Sequence, residues 1–123
     1  LPKNEVSNEY FEEYFRRLGV EVKGLMPNFN RRKRFLADRD ESSLSMGYAA
    51  AVNALEKLNM DAKELDMIVF ATDTPEYIMP TNALKLNHML GADNAHRVYD
   101  MNCNCTGMLV AMDVMAGYMQ QRS

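Results

Sequence analysis

Met67-Ile-Val-Phe-Ala-Thr72 is an unbroken apolar run set between Asp66 and Asp73. A short apolar run with polar bounds is the pattern of a strand covered on both faces, as in a parallel sheet lying between helices. The segments after it fit that arrangement. Asp73–Pro80 reads as a loop fixed by Pro75 and Pro80. A helix follows over roughly 82–90, with Ala83, Leu86 and Leu90 as its apolar stripe and Gly91 as its stop. His96-Arg-Val-Tyr-Asp-Met101 is a second strand, and residues 105 to about 121 form a last helix. That helix carries Asp113 as its one charge between Met108 and Met119, so it is expected to be buried on most sides.

The first part of the chain supplies two more helices. Ser7 or Asn8 can cap one whose apolar residues Tyr10, Phe11, Tyr14, Phe15 and Leu18 recur at helical spacing, with Gly19 as its stop. We expect it to pack rather than to act. Residues 20–41 read as irregular, with Pro27, Asn28 and Asn30 as turn formers. Arg31-Arg32-Lys33-Arg34 is a basic cluster that suits either a phosphate or a solvated face beside Asp38, Asp40 and Glu41. Ser42 or Ser43 can cap the next helix, which runs to Asn59 with Leu44, Tyr48, Ala51, Val52, Leu55 and Leu58 on one face. Gly47 and its alanine neighbours permit close approach to a sheet, and residues 61–65 form a short helical turn. Helix–helix–strand–helix–strand–helix is the order of an α/β layered fold.

Composition narrows the function. A formal net charge of -3 argues against a nucleic-acid binder built on bulk positive field. No run approaches the ~20 apolar residues needed to span a bilayer, and Leu1-Pro-Lys-Asn-Glu5 has no secretory pattern. Cys103 and Cys105 lie too close in sequence to constrain the unfolded chain by bridging, so a reducing, cytoplasmic setting is expected. The 11 methionines suit irregular gaps in a core. The opening on Leu1-Pro2 and the stop beyond an apolar helix lead us to expect a missing partner, another subunit or more of the same protein.

The chemistry gathers at Tyr99-Asp-Met-Asn-Cys-Asn-Cys-Thr-Gly-Met108, where strand gives way to helix. A metal site is not expected, because Cys103 and Cys105 have no second ligand pair and His88 and His96 lie on different elements. Cys105 stands where helix-terminal N–H groups and the helix dipole favour a thiolate, and the same N–H groups suit an oxyanion. Gly107 beside it permits close backbone approach. Free cysteines are also among the most buried and inert residues, and position alone leaves both readings open. A cysteine nucleophile wants a base, and neither His88 nor His96 is placed for that role.

Motifs along the chain resemble, in order, the N-terminal part of β-ketoacyl-acyl-carrier-protein synthase III, a thiolase-fold condensing enzyme. They are Leu1-Pro2 with Val6-Ser-Asn-Glu9, Arg34-Phe-Leu-Ala37 with Asp40-Glu-Ser-Ser43, and Leu65-Asp-Met-Ile-Val-Phe-Ala-Thr72. Thr74-Pro-Glu-Tyr77 with Pro80, Met89-Leu-Gly91, and Tyr99-Asp-Met-Asn-Cys-Asn-Cys-Thr-Gly107 complete the series. The last resembles the family's Asp-x-x-x-x-Cys-x-Gly nucleophile segment.

The resemblance implies the N-terminal half of a thiolase-like layered αβαβα fold. Residues 1–123 would be one domain fragment, without the family's first strand and its C-terminal half. It implies that Cys105 accepts a short acyl group from acyl-coenzyme A, which is then condensed with malonyl-acyl-carrier protein to start a fatty-acid chain. Acyl-coenzyme A is thereby a substrate, and no permanently bound cofactor or metal is implied. It also implies a homodimer in which Met79 reaches the partner subunit's acyl pocket. The family's catalytic histidine and asparagine belong to the second half. Gly24 and Asn28 stand where the family commonly has a tryptophan and an arginine that grip coenzyme A, and the chain has no tryptophan. Two alternatives follow: a related thiolase-fold enzyme with another starter acyl group, and a non-catalytic thiolase-like dimerisation module. A cysteine hydrolase would need a histidine close to Cys105.

Overall fold

In the computed structural model, residues 2–22, 24, 28, 30 and 32–121 are described. Leu1, Pro27 and Arg31, on which part of the reading above rests, lie outside them. Contacts divide the chain into two compact units, Leu1–Ser42 and Ser43–Ser123.

In the first unit, strand β1 (Asn4–Ser7) runs directly into helix α1 (Asn8–Arg17) and pairs antiparallel with strand β2 (Lys33–Leu36). The register sets Glu5 opposite Phe35 and Ser7 opposite Lys33. The expectation of irregular chain over 20–41 is corrected here by β2. Its Lys33 and Arg34 read as loop charges in sequence, yet Lys33 bonds the Glu5 carboxylate at 2.7 Å and Arg34 bonds Asn8 Oδ1 at 3.4 Å. Arg34 also lies over the Phe11 ring, 4.6 Å from its centroid, which favours the cation. Helix α1 ends as expected, with Gly19 at φ 76°. No described residue of this unit is buried.

The second unit holds the helices α2 (Ser43–Leu58) and α3 (Asn82–Leu90), the strands β3 (Met67–Ala71) and β4 (Arg97–Met101), and the last helix α4 (Gly107–Gln120). Helix α2 ends at Asn59 with φ 50°, where Asn59 N–H bonds Glu56 O and Met60 N–H bonds Leu55 O. Asp61 and Glu64 close a capping box around the turn Ala62–Glu64. Strands β3 and β4 pair in parallel, Met67 opposite Arg97 through Ala71 opposite Met101, with α3 as the crossover between them.

Side-chain alternation assigns the two faces of this pair. Ile68 points to the side where Leu44, Ala83, Leu86 and Ala92 form the buried core, joined by Tyr48, Phe70 and Val98. Gly47 brings α2 so close that a Cβ there would lie 2.6 Å from the Phe70 ring. Met67 and Ala71 point the other way, toward α4, where a Cβ on Gly107 would sit 3.5 Å from Ala71.

Burial is less even than the apolar patterns suggest. In β3 only Ile68 is buried, and Leu58 of α2 is exposed. Helix α4 buries only Gly107 and Ala111, while Met108, Leu109, Met112 and Met119 are exposed by 67, 63, 56 and 66%. The expectation of a helix covered on most sides is therefore corrected for this chain: within the second unit β3 packs on α4 at Gly107 and Arg97 of β4 lies over the Tyr118 ring, while these apolar side chains stay exposed. Among the described residues, no helix is long and apolar enough to cross a membrane.

Candidate active site

Ligands of open α/β sheets gather at the carboxyl ends of the strands. Here that edge carries the Cys105 turn, the loop after β3 and the starts of α2 and α3.

The chain leaves β4 at Met101 and makes one tight turn, Asn104–Thr106, before entering α4. The Cys103 carbonyl accepts both the Thr106 N–H at 3.2 Å and the Thr106 hydroxyl at 2.8 Å. Asn104 takes φ 49°, a left-handed conformation that asparagine tolerates well. Its N–H faces Asn102 Oδ1 at 3.4 Å. The turn leaves Cys105 exposed and Cys103 partly covered, both as free thiols. Gly107 is buried but right-handed, and a methyl group there would meet Ala71 at ordinary contact distance. Close approach thus does not demand a glycine at 107.

Behind the turn lies a polar node that sequence reading missed. Asn82 is fully buried. A buried amide is costly unless its donors and acceptor are used. Asn82 Nδ2 donates to Ser43 Oγ at 3.1 Å, and its Oδ1 accepts the Glu76 N–H at 3.3 Å. Ser43 Oγ donates onward to the Thr74 carbonyl at 3.2 Å. Asp100 accepts the Asn82 N–H at 3.0 Å and the Ala83 N–H at 2.7 Å, one on each carboxylate oxygen. Glu76 accepts the Leu44 N–H at 3.1 Å. The first turns of α2 and α3 thus receive carboxylates from β4 and from the loop, where helix N-termini favour negative charge. Asp100 opens the Asp-x-x-x-x-Cys segment, which was the one available signal; Asn82 looked like an ordinary first residue of a helix.

The loop over residues 73–80 is exposed throughout. Its tip bears Tyr77, Ile78 and Met79, exposed by 50, 92 and 79%. The Lys85 ammonium sits 3.5 Å from the Tyr77 ring centroid and ties this tip to α3.

Other candidates fall elsewhere. His96 precedes β4 and bonds Asp66 O through its N–H, whereas Cys105 follows the far end of that strand. Five residues at ~3.3 Å each separate those ends. His88 lies in the last turn of α3, away from the Asp100 end where that helix starts. The structure brings neither histidine to Cys105. A groove of about 600 Å³ between β3 and α4, with Met60, Leu65, Met67, Met115, Tyr118 and Met119 along it, also opens at the opposite end. Among the described residues, no three His, Cys, Asp or Glu side chains come together as metal ligands would. Gly24 and Asn28 belong to the first unit and are exposed.

No protein-family model matches the chain. It is 27% identical over 120 residues to a β-ketoacyl-acyl-carrier-protein synthase III of Bartonella henselae, an alignment that covers 98% of this chain and 36% of that protein. The chain thus spans about a third of the length of the curated relatives it matches. Among solved structures, a 3-oxoacyl-acyl-carrier-protein synthase III of Aquifex aeolicus superposes with a TM-score of 0.84 at 26% identity, over 98% of this chain and 38% of that one. The priming β-ketosynthase of the R1128 polyketide biosynthetic pathway gives 0.79 at 31% identity, over 92% and 33%. The parallel pair with helices on both faces is accordingly part of a thiolase-like layered fold. Sequence and structure alike point to the β-ketoacyl-acyl-carrier-protein synthase III family of thiolase-fold condensing enzymes, matched over its N-terminal portion.

Proposed function

We propose that this chain is the nucleophile-bearing part of an acyltransferase that forms carbon–carbon bonds. The Cys105 thiolate attacks the thioester carbonyl of an acyl-coenzyme A, and the coenzyme A thiolate leaves and takes up a proton. The acyl group then rests on Cys105 as a thioester. Malonyl-acyl-carrier protein loses carbon dioxide, its carbanion attacks that thioester, and the Cys105 thiolate departs. This starts a fatty-acid-type chain. Acyl-coenzyme A and the carrier protein are substrates here, and no resident cofactor is required.

The observation that carries the proposal is an exposed cysteine on a tight turn between a strand and a helix, within a chain alignable over nearly its whole length to synthase III proteins. The base for condensation is not supplied by His88 or His96, so the proposed enzyme completes its site with the histidine and asparagine of the family's later part. Residues 1–123 then form part of one thiolase-like domain, to which a first strand and a C-terminal half are added. The enzyme works as a homodimer, with the exposed Met79 tip entering the partner's acyl pocket.

A second reading keeps the chemistry and changes the starter group. Its support is the 31% identity to a priming β-ketosynthase of a polyketide pathway, together with Gly24 and Asn28 at the expected coenzyme A grip. The third reading, an assembly module without catalysis, draws on the exposed apolar side of α4.

The test is peptide mass mapping after incubation with acyl-coenzyme A, using protein expressed from its complete coding sequence. An acyl mass on Cys105, lost in Cys105→Ala and kept in Cys103→Ala, is the expected outcome. Label retained in Cys105→Ala sinks the assignment. Labels that differ among donors separate the first two readings.

A further inference from the structure

We infer that Asn82 is a positioning residue for the acyl-binding side of this site, holding the loop that carries Met79 against the Asp100 end of β4. The inference rests on the acyltransferase reading above and adds a residue to it. The loop cannot hold itself by burial, since all of residues 73–80 are exposed and Ile78 and Met79 lie almost bare. Its conformation therefore depends on polar contacts, of which Asn82 commands two, beside the Glu76 carboxylate on the Leu44 N–H and the Lys85 ammonium on the Tyr77 ring. Asn82 Oδ1 takes the Glu76 N–H directly, and its Nδ2 orients the Ser43 hydroxyl that bonds the Thr74 carbonyl. The Asn82 backbone is itself pinned to Asp100, in the same strand that leads into the Cys105 turn. One buried amide thus links the start of α2, the loop, the start of α3 and the end of β4.

The position is selective for an amide. Aspartate lacks the Nδ2 donor that Ser43 meets, and leucine keeps the volume but removes both the acceptor of the Glu76 N–H and the donor to Ser43 Oγ. In water such bonds are easily exchanged; the Asn82 amide is itself withdrawn from solvent, which strengthens its side of each bond, while Ser43 and Glu76 stay partly in contact with water. A loop released at Thr74 and Glu76 would carry its tip, two to three residues further on, to a range of positions. A displacement of about 1 Å is enough to lower the rate of a positioned reaction by up to ~100-fold.

The experiment compares wild type, Asn82→Ala, Ser43→Ala and Met79→Ala, each expressed from the complete coding sequence. Acylation of Cys105 is followed by mass with short, medium and long acyl-coenzyme A donors, giving kcat/KM for each. We expect Met79→Ala to change the donor preference, Asn82→Ala to change it in the same direction by about tenfold, and Ser43→Ala to change it less. Uniformly reduced rates at unchanged preference indicate a structural role alone and overturn the inference. Should Asn82→Ala fail to fold, Ser43→Ala decides, because it removes one partner and leaves the amide in place. Wild-type preference in Met79→Ala removes the loop from the acyl site and overturns the inference while Cys105 keeps its role. No acyl mass on Cys105 of the wild type overturns both readings together.

Discussion

The two compact units are built on opposite terms. Residues 43–121 enclose a core of Leu44, Ile68, Ala83, Leu86 and Ala92, and they bury a polar side chain, Asn82, with a hydrogen-bond partner on each of its polar atoms. The described residues of the first unit bury nothing and rely on partners at the surface. Glu13 pairs with Arg16 and Arg17, Glu5 with Lys33, and Lys3 with Asp40 at 3.8 Å. Exposed pairs contribute at most ~1 kcal/mol each and are screened by salt. A buried leucine contributes several times that. The contrast teaches where a fixed geometry can be held: the Cys105 turn, the proposed nucleophile's place, lies on the unit with the core.

Leu86→Ala tests the contrast most strongly. Leu86 is 6% exposed within that core, so its truncation should cost about 2–5 kcal/mol. Urea unfolding monitored by hydrogen exchange should show protection lost across β3, α3 and β4. A cost under ~0.5 kcal/mol would mean that burial does not hold the unit together.

Gly47→Ala asks how tightly α2 sits on the sheet. Alanine gains about 1 kcal/mol of helix propensity over glycine, but its methyl would fall 2.6 Å from the Phe70 ring. Overpacking costs of about 1–3 kcal/mol should outweigh the gain and lower the unfolding midpoint. A raised midpoint would show that the ring yields freely.

The smallest effect lies in the first unit and depends on pH. The Glu41 carboxylate accepts the Asp38 N–H at 3.0 Å and the Lys3 N–H at 3.3 Å. The Asp38 bond above all holds its pKa below the ordinary glutamate value. A folded pKa below the unfolded one stabilises the fold above the unfolded pKa, and that contribution is lost as pH falls through the folded pKa. The Asp38 amide should therefore exchange faster, relative to its intrinsic rate, as pH drops below the usual carboxylate range. Glu41→Gln should remove this pH dependence without affecting exchange in the core of the second unit.

The same contrast explains what could be read in the sequence. Strands β3 and β4, helices α2 and α3, and the stops at Asn59 and Gly91 were legible, because apolar period and left-handed end residues are local signals. Strands β1 and β2 were not. Each is four residues long and rich in polar side chains, and each exists only through pairing with the other. The all-apolar pattern of α4 was visible, but its degree of cover depends on what surrounds it. Cys105 could be singled out from its place between strand and helix, a place that by itself leaves a reactive and an inert thiol equally open. The Asn82 node could not, since Asn82 and Ser43 are 39 positions apart and no periodicity links them.

The exposed side of α4 has a further chemical consequence. Met108, Met112 and Met119, each carrying a thioether, are more than half exposed there. A mild oxidant converts such groups to polar sulfoxides, each a footprint that persists until it is enzymatically reduced. Anything that settles on α4 shields those sulfur atoms, and anything that has been oxidised there meets its partner with a wetter face. Sulfoxide formation along α4 would therefore measure how far this helix is covered in the assembled protein.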